Sequence, residues 1–108
     1  MGDRGRIAIE FSASAQDDLL GIVDWYATQE VPQVGRRLVG EIIAHVEQLA
    51  LFPDSGRVVP EFGTPWLREL ESPPFRIVYR RDEDRVAIVR VWRSERLMDS
   101  PPGEDASR

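Results

Sequence analysis

Ser55-Gly56-Arg57-Val58-Val59-Pro60-Glu61, then Arg68-Glu69-Leu70, then Phe75-Arg76-Ile77-Val78-Tyr79, is the stretch that decides the fold. It places arginines 57, 68 and 76 on short hydrophobic segments with the character of adjacent strands. An arginine on a half-buried strand is costly unless its planar fork is paired. Each of the three therefore needs an internal partner or a ligand. Arg57 with Glu61 and Arg68 with Glu69 are the internal pairs nearest in sequence, and such pairs would fix strand register.

Working outward, Trp66 to Glu71, Phe75 to Arg80 and Val86 to Trp92 read as three strands. Ser72-Pro73-Pro74 and Asp82-Glu83-Asp84 are the turns between them, and links this short make neighbours antiparallel. Upstream, Pro53 and Gly56 stop a helix whose stripe is Leu38, Ile42, His45, Leu49 and Phe52, widened by Val39, Ile43, Val46 and Ala50. Pro32 suits the first turn of that helix, and Glu30-Val31-Pro32 separates it from an earlier one. The earlier helix has its stripe at Ala15, Leu19, Ile22, Val23 and Tyr26. Ser12 or Ser14 can cap it, and Asp17 and Asp18 suit its first turn. Ile7, Ile9 and Phe11 alternate with Ala8 and Glu10 as a first strand. The order β-α-α-β-β-β predicts an α+β layer fold: an N-terminal strand, a helical hairpin, then a three-stranded antiparallel meander. Residues 6–99 form the single expected domain, with a loose arm at 1–5 and a disordered tail at 100–108.

At 108 residues, 42% hydrophobic and 31% charged, the chain has room for one modest core. It has no cysteine, and so neither disulfides nor thiolate metal sites. His45 is the only histidine and sits on an apolar stripe, as a packed or interface side chain. No metal-ligand spacing or phosphate-cradling glycine loop occurs, so no cofactor and no metal are expected. No apolar run approaches the roughly 20 residues that span a bilayer, which makes a cytoplasmic protein with no membrane partner the expectation. All 14 basic residues are arginine, and the net charge is −5. Residues 1–56 hold four arginines against nine acids, and residues 57–96 nine against seven. A chain gripping phosphates would carry a stronger basic footprint, so direct nucleic-acid binding is not expected.

From Ile7 to Leu97 the order and spacing of these segments, with the strand arginines, resemble the RelE/ParE superfamily of toxins from type II toxin–antitoxin pairs, and the ParE branch more than the RelE branch. The resemblance implies the same fold, with the first strand beside the last. It implies a cognate antitoxin as partner, a possible toxin–antitoxin hetero-oligomer, and DNA gyrase as the target of a binding protein rather than an enzyme. RelE relatives instead cut mRNA on the ribosome. Arg76 matches their strand arginine, and Arg93 and Arg96 match the arginines after the last strand. A C-terminal tyrosine or histidine commonly handles the proton there, and from Trp92 to Arg108 this chain has neither. Glu95 and Asp99 are the nearby titratable groups, and Tyr79 reads as core. Where many ParE relatives carry a histidine, Val91-Trp92-Arg93 stands here, with Trp92 either a partner contact or the edge of the core.

Two surfaces are expected. Arg76, Trp92, Arg93 and Arg96 are the target-binding set, pictured as one exposed patch at the C-terminal edge of the sheet, with Arg76 nearly level with Arg90. Trp25, Val39 and Ile43 are the antitoxin-binding set, since they exceed what one buried stripe needs. The alternatives to a gyrase toxin are a RelE-like endonuclease using Arg76, Arg93 and Arg96, and a degenerate module that binds antitoxin without toxicity.

Overall fold

The computed structural model describes residues 5–95; Arg96, Asp99 and the expected tail lie outside them. Strand β1 (Ala8–Phe11) leads through Ser12 into helix α1 (Ala13–Thr28). The Ser12 hydroxyl accepts from the Ala15 N–H at 3.0 Å and donates to the Val89 carbonyl at 3.1 Å. One side chain thus caps the helix and ties it to the sheet. Because the helix begins at Ala13, Asp17 and Asp18 fall beyond its first turn, contrary to expectation. Glu30, at φ 66°, makes the left-handed turn that ends α1, and Pro32 opens α2 (Pro32–Glu47). The helices approach closely at Gly35, where an added Cβ would lie 3.0 Å from that of Tyr26.

A 3-10 turn at Gln48–Ala50 follows, and then β2 (Arg57–Val58), β3 (Leu67–Ser72), β4 (Phe75–Arg81) and β5 (Arg85–Arg93). The sheet order is β1-β5-β4-β3-β2, with β1 parallel to β5 and the remaining pairs antiparallel. The meander and the place of β1 are as the periodicity and the resemblance imply. The two-residue β2 adds a short edge to them.

The hairpin packs on one sheet face. Ile22, Leu38, Ile42, Val46 and Leu49 meet Phe75, Ile77, Tyr79 and Ile88 there. Phe52, expected on the buried stripe, is 62% exposed because the helix has ended before it. His45 lies between α2 and β3, its Nδ1 2.9 Å from the Ser72 hydroxyl. Tyr79 is fully buried; it donates to the Pro53 carbonyl at 2.8 Å and accepts from the Gly56 N–H at 3.0 Å. Its role is in the core. On the opposite face a smaller cluster of Val59, Leu67 and Val78 is joined by Phe62, Val89 and Trp92.

Register corrects one expectation. Val78 pairs with Arg90 but Tyr79 with Ile88, so Val89 is bulged out of the ladder. Arg76 therefore stands opposite Trp92, not Arg90. Among the described residues no helix is long and apolar enough to cross a membrane.

Candidate functional site

Arg76 projects from the sheet face turned away from the helices, with Glu71 of β3 and Trp92 of β5 on either side. Its Nε donates to Glu69 Oε1 at 2.8 Å, and Nη2 donates to the same oxygen. Nη1 and Nη2 donate to the two oxygens of Glu61 at 3.0 and 3.1 Å. Glu69 Oε2 accepts from Arg57 Nε at 2.6 Å. The Arg76 and Glu69 side chains are 7% and 1% exposed. Glu61 reaches them because the β2–β3 loop folds over this face, held by Val59 and Phe62 in the small cluster. Charge-assisted pairing, with Glu61 foremost, raises the Arg76 pKa above its ordinary value against the opposing effect of burial. A cleft of about 420 Å³ here is lined by Arg57, Glu61, Glu69, Glu71 and Arg76, three carboxylates against two guanidinium groups.

The pairing differs from the nearest-in-sequence expectation. Arg57 takes Glu69, and Arg76 takes Glu61. Arg68 cannot reach its neighbour Glu69, because successive side chains on a strand point to opposite faces. It donates instead to the carbonyls of Pro65 at 3.0 Å and Gly56 at 2.9 Å.

A second constellation lies where the end of β5 meets α1. Asp18 accepts from Arg90 Nε at 2.9 Å, from Arg90 Nη2 at 2.8 Å and from the Val91 N–H at 2.8 Å. The Asp18 hydrogen bond raises the Arg90 pKa. The Arg90 guanidinium carbon is 4.6 Å from the Trp92 ring centroid. Farther along the strand, the Arg93 guanidinium carbon lies 5.5 Å from the Trp25 ring centroid and 5.4 Å from that of Phe75. Arg93 Nη2 donates to the Tyr26 hydroxyl at 3.3 Å. Trp25, Tyr26, Phe75, Trp92 and Arg93 share a cleft of about 510 Å³ with Asp17, Asp18 and Gly21.

The expected single exposed patch is therefore not formed among the described residues. Arg76 is buried, Trp92 is half-buried in the small cluster, and Arg93 turns to the helix side. Nor is Arg93 remote from the hairpin, since it stacks on Trp25 of α1. Trp25 in turn is separated from Val39 and Ile43. Those two line a groove of about 530 Å³ between the helices with Phe11, Gln16, Leu19, Leu20 and Val23. Leu20 is 63% exposed there, an apolar surface of the kind a partner covers.

The Tyr79 hydroxyl is engaged on both sides and its pKa is pushed up by burial. His45 faces Ser72 inside the helix layer. Among the described residues no group of three or more histidine or acidic side chains could hold a metal ion. Sequence reasoning missed Asp18, Tyr26 and Phe75. The aromatic pair Trp25-Tyr26, just before the hairpin link, was the available signal for the cluster around Arg93.

The comparisons with known proteins bear on the family and the fold. The family model described as ParE toxin of type II toxin–antitoxin system, parDE, matches residues 9–98. Comparison with curated proteins returns no match. Among solved structures, a chain of the chromosomal ParDE toxin–antitoxin system from P. aeruginosa is similar at TM-score 0.70 and 26% identity, covering 84% of this chain and 99% of that one. A chain of the RelBE2 toxin–antitoxin complex from Mycobacterium tuberculosis has TM-score 0.59 at 18% identity, covering 82% and 98%, a likeness of fold. A hairpin on a β1-β5-β4-β3-β2 sheet, matched by the family model over nearly its whole described length, places the chain in the ParE toxin family of type II toxin–antitoxin systems.

Proposed function

We propose that the chain is a toxin that acts by binding DNA gyrase, working in the cytoplasm and held inactive in a complex with a cognate antitoxin. The observation that carries this reading is the state of Arg76. RNA cleavage needs cations directed at the developing phosphate charge and a base for the 2′-hydroxyl. Arg76 is forked to Glu61 and backed by Glu69, so a phosphate arriving there must displace one carboxylate and approach two more. His45 and Tyr79 are committed to internal hydrogen bonds. Binding a protein surface is consistent with these residues in a way that phosphodiester chemistry is not.

The antitoxin is read into the groove at Val39 and Ile43, whose lining is almost wholly apolar and suits an amphipathic segment. Trp92 and Arg96 are the residues proposed to face the target, with Arg76 supporting Trp92 from the neighbouring strand. Purified protein should block gyrase supercoiling and leave ribosome-bound mRNA intact. Cleaved mRNA with normal supercoiling would replace this reading by a RelE-like one. Neither effect, with antitoxin binding kept, would mark a degenerate module.

A further inference from the structure

Each of the other sheet arginines among the described residues has a carboxylate within 4.0 Å: 57, 68, 76, 80, 81, 85 and 90. Arg93 is held by aromatic rings and one hydroxyl instead. We propose that Arg93, framed by Trp25 and Phe75, is a seat for an acidic side chain of the antitoxin, an inference that rests on the toxin–antitoxin reading above. A guanidinium set against ring faces keeps donors at its edge, which is how it meets a carboxylate in a planar fork. Its rotamer is already restricted, so little freedom is lost on binding.

The charges around the seat select a protein over a nucleic acid. α1 carries Asp17, Asp18 and Asp24 and no basic residue, so a run of phosphates crossing it meets repulsion. A single carboxylate beside an apolar side chain suits the cleft, where Trp25, Phe75 and Val91 lie around the cation.

Position selects the antitoxin over the target. The apolar groove and the Arg93 cleft lie on the two flanks of α1, the groove touching Gln16, Leu19, Leu20 and Val23, the cleft Asp17, Gly21, Trp25 and Tyr26. At Gly21, next to Leu20, nothing lies within 4 Å of where a Cβ would stand, so the rim between the two is low. A helix with its side chains is about 10 Å across, and an extended chain advances about 3.3 Å per residue. A segment leaving the groove would thus bring its acidic residue to Arg93 within about three or four residues.

The test uses the full chain and its cognate antitoxin, with affinities measured at low and high salt. Arg93→Gln is expected to weaken binding about tenfold or more, and to flatten the salt dependence, while the fold is kept and the melting temperature drops only slightly from the lost ring contacts. Arg93→Lys should restore only part, because it keeps the charge but loses the fork. Arg80→Gln, at the far end of the sheet, should bind as the parent does. Parental affinity in Arg93→Gln would overturn the proposal, and loss of toxicity with that affinity intact would give the residue to the target. RNA binding that Arg93→Gln abolishes would overturn it in favour of a nucleic acid. Failure of the parent chain to bind would sink the toxin–antitoxin reading, and the seat with it.

Discussion

Arg76 donates its Nε to Glu69 at 2.8 Å with both side chains withdrawn from water, so each ion stands in for the other's lost hydration. A buried pair of this kind contributes modestly as a whole, and removing Arg76 leaves Glu69 without its buried partner, whereas removing Glu69 leaves Arg76 with Glu61. Glu69 is doubly committed, because its second oxygen holds Arg57.

Replacing Glu69 with Gln is expected to cost about 1–3 kcal/mol, because a buried charge-assisted bond is lost while Arg76 keeps its fork to Glu61. The pair Glu69→Leu with Arg76→Met should cost less than either single change. Denaturant melts of Glu69→Gln, of the two single apolar variants and of the double check this, and equal or additive losses in the double would contradict it.

Asp18 accepts three hydrogen bonds from β5. Asp18→Asn should destabilise the protein by about 1.5–3 kcal/mol, the range for hydrogen bonds to a charged group. Amide exchange should quicken at Val91 before the centre of β4, since the clasp fastens only the end of the sheet. Unchanged exchange at Val91 would show the clasp to be slack.

Two glycines should respond in opposite directions to alanine. At Gly56 a Cβ would lie 2.6 Å from the Glu69 carbonyl and from the Tyr79 hydroxyl, so Gly56→Ala should lose stability by about 1–3 kcal/mol through overpacking. At Gly40, in the middle of α2, nothing lies within 4 Å. Gly40→Ala should gain about 0.5–1 kcal/mol from lower backbone entropy in the unfolded chain. Thermal melts distinguish the two, and the same sign for both would refute the packing argument.

Burial raises the Tyr79 pKa above its ordinary 10.0. The folded state then holds the phenolic proton more tightly than the unfolded state does. This contribution is complete below pH 10 and is lost as pH rises from there through the higher folded value. A melting series above neutral pH should fall off beyond pH 10, and Tyr79→Phe should lose that part of the decline while starting from a lower stability. An equally steep decline in Tyr79→Phe would assign it to other groups.

The elements were legible because their signals are local. Leu38, Ile42 and Leu49 recur at helical spacing and are buried, and Pro32 and Ser12 mark helix starts. Phe75, Ile77 and Tyr79 alternate with Arg76 and Val78 of the opposite face, as the two-residue period of a strand requires. Phe52 was misread because its stripe runs past the end of the helix into a turn.

The contacts of the candidate site were not legible. Trp25 was visible as an apolar residue beyond core needs and Arg93 as an arginine after the last strand, but as members of different surfaces. Asp18 and Arg90 lie 72 residues apart, and Arg93 and Tyr26 lie 67 apart. Periodicity says which way a side chain points within its own element and nothing about which distant element arrives there.

The sequence by itself determined the order of the main elements, the face taken by apolar residues inside them and the need of every strand arginine for a partner. Those follow from helical and strand periods, capping chemistry and the penalty on buried charge. Tertiary structure decided who the partners are. A single bulge at Val89 sets Arg76 against Trp92 and turns Arg93 toward α1, and the folded-over β2–β3 loop delivers Glu61 to Arg76. Pairing across segments depends on register and loop path, which are set only when the layers pack.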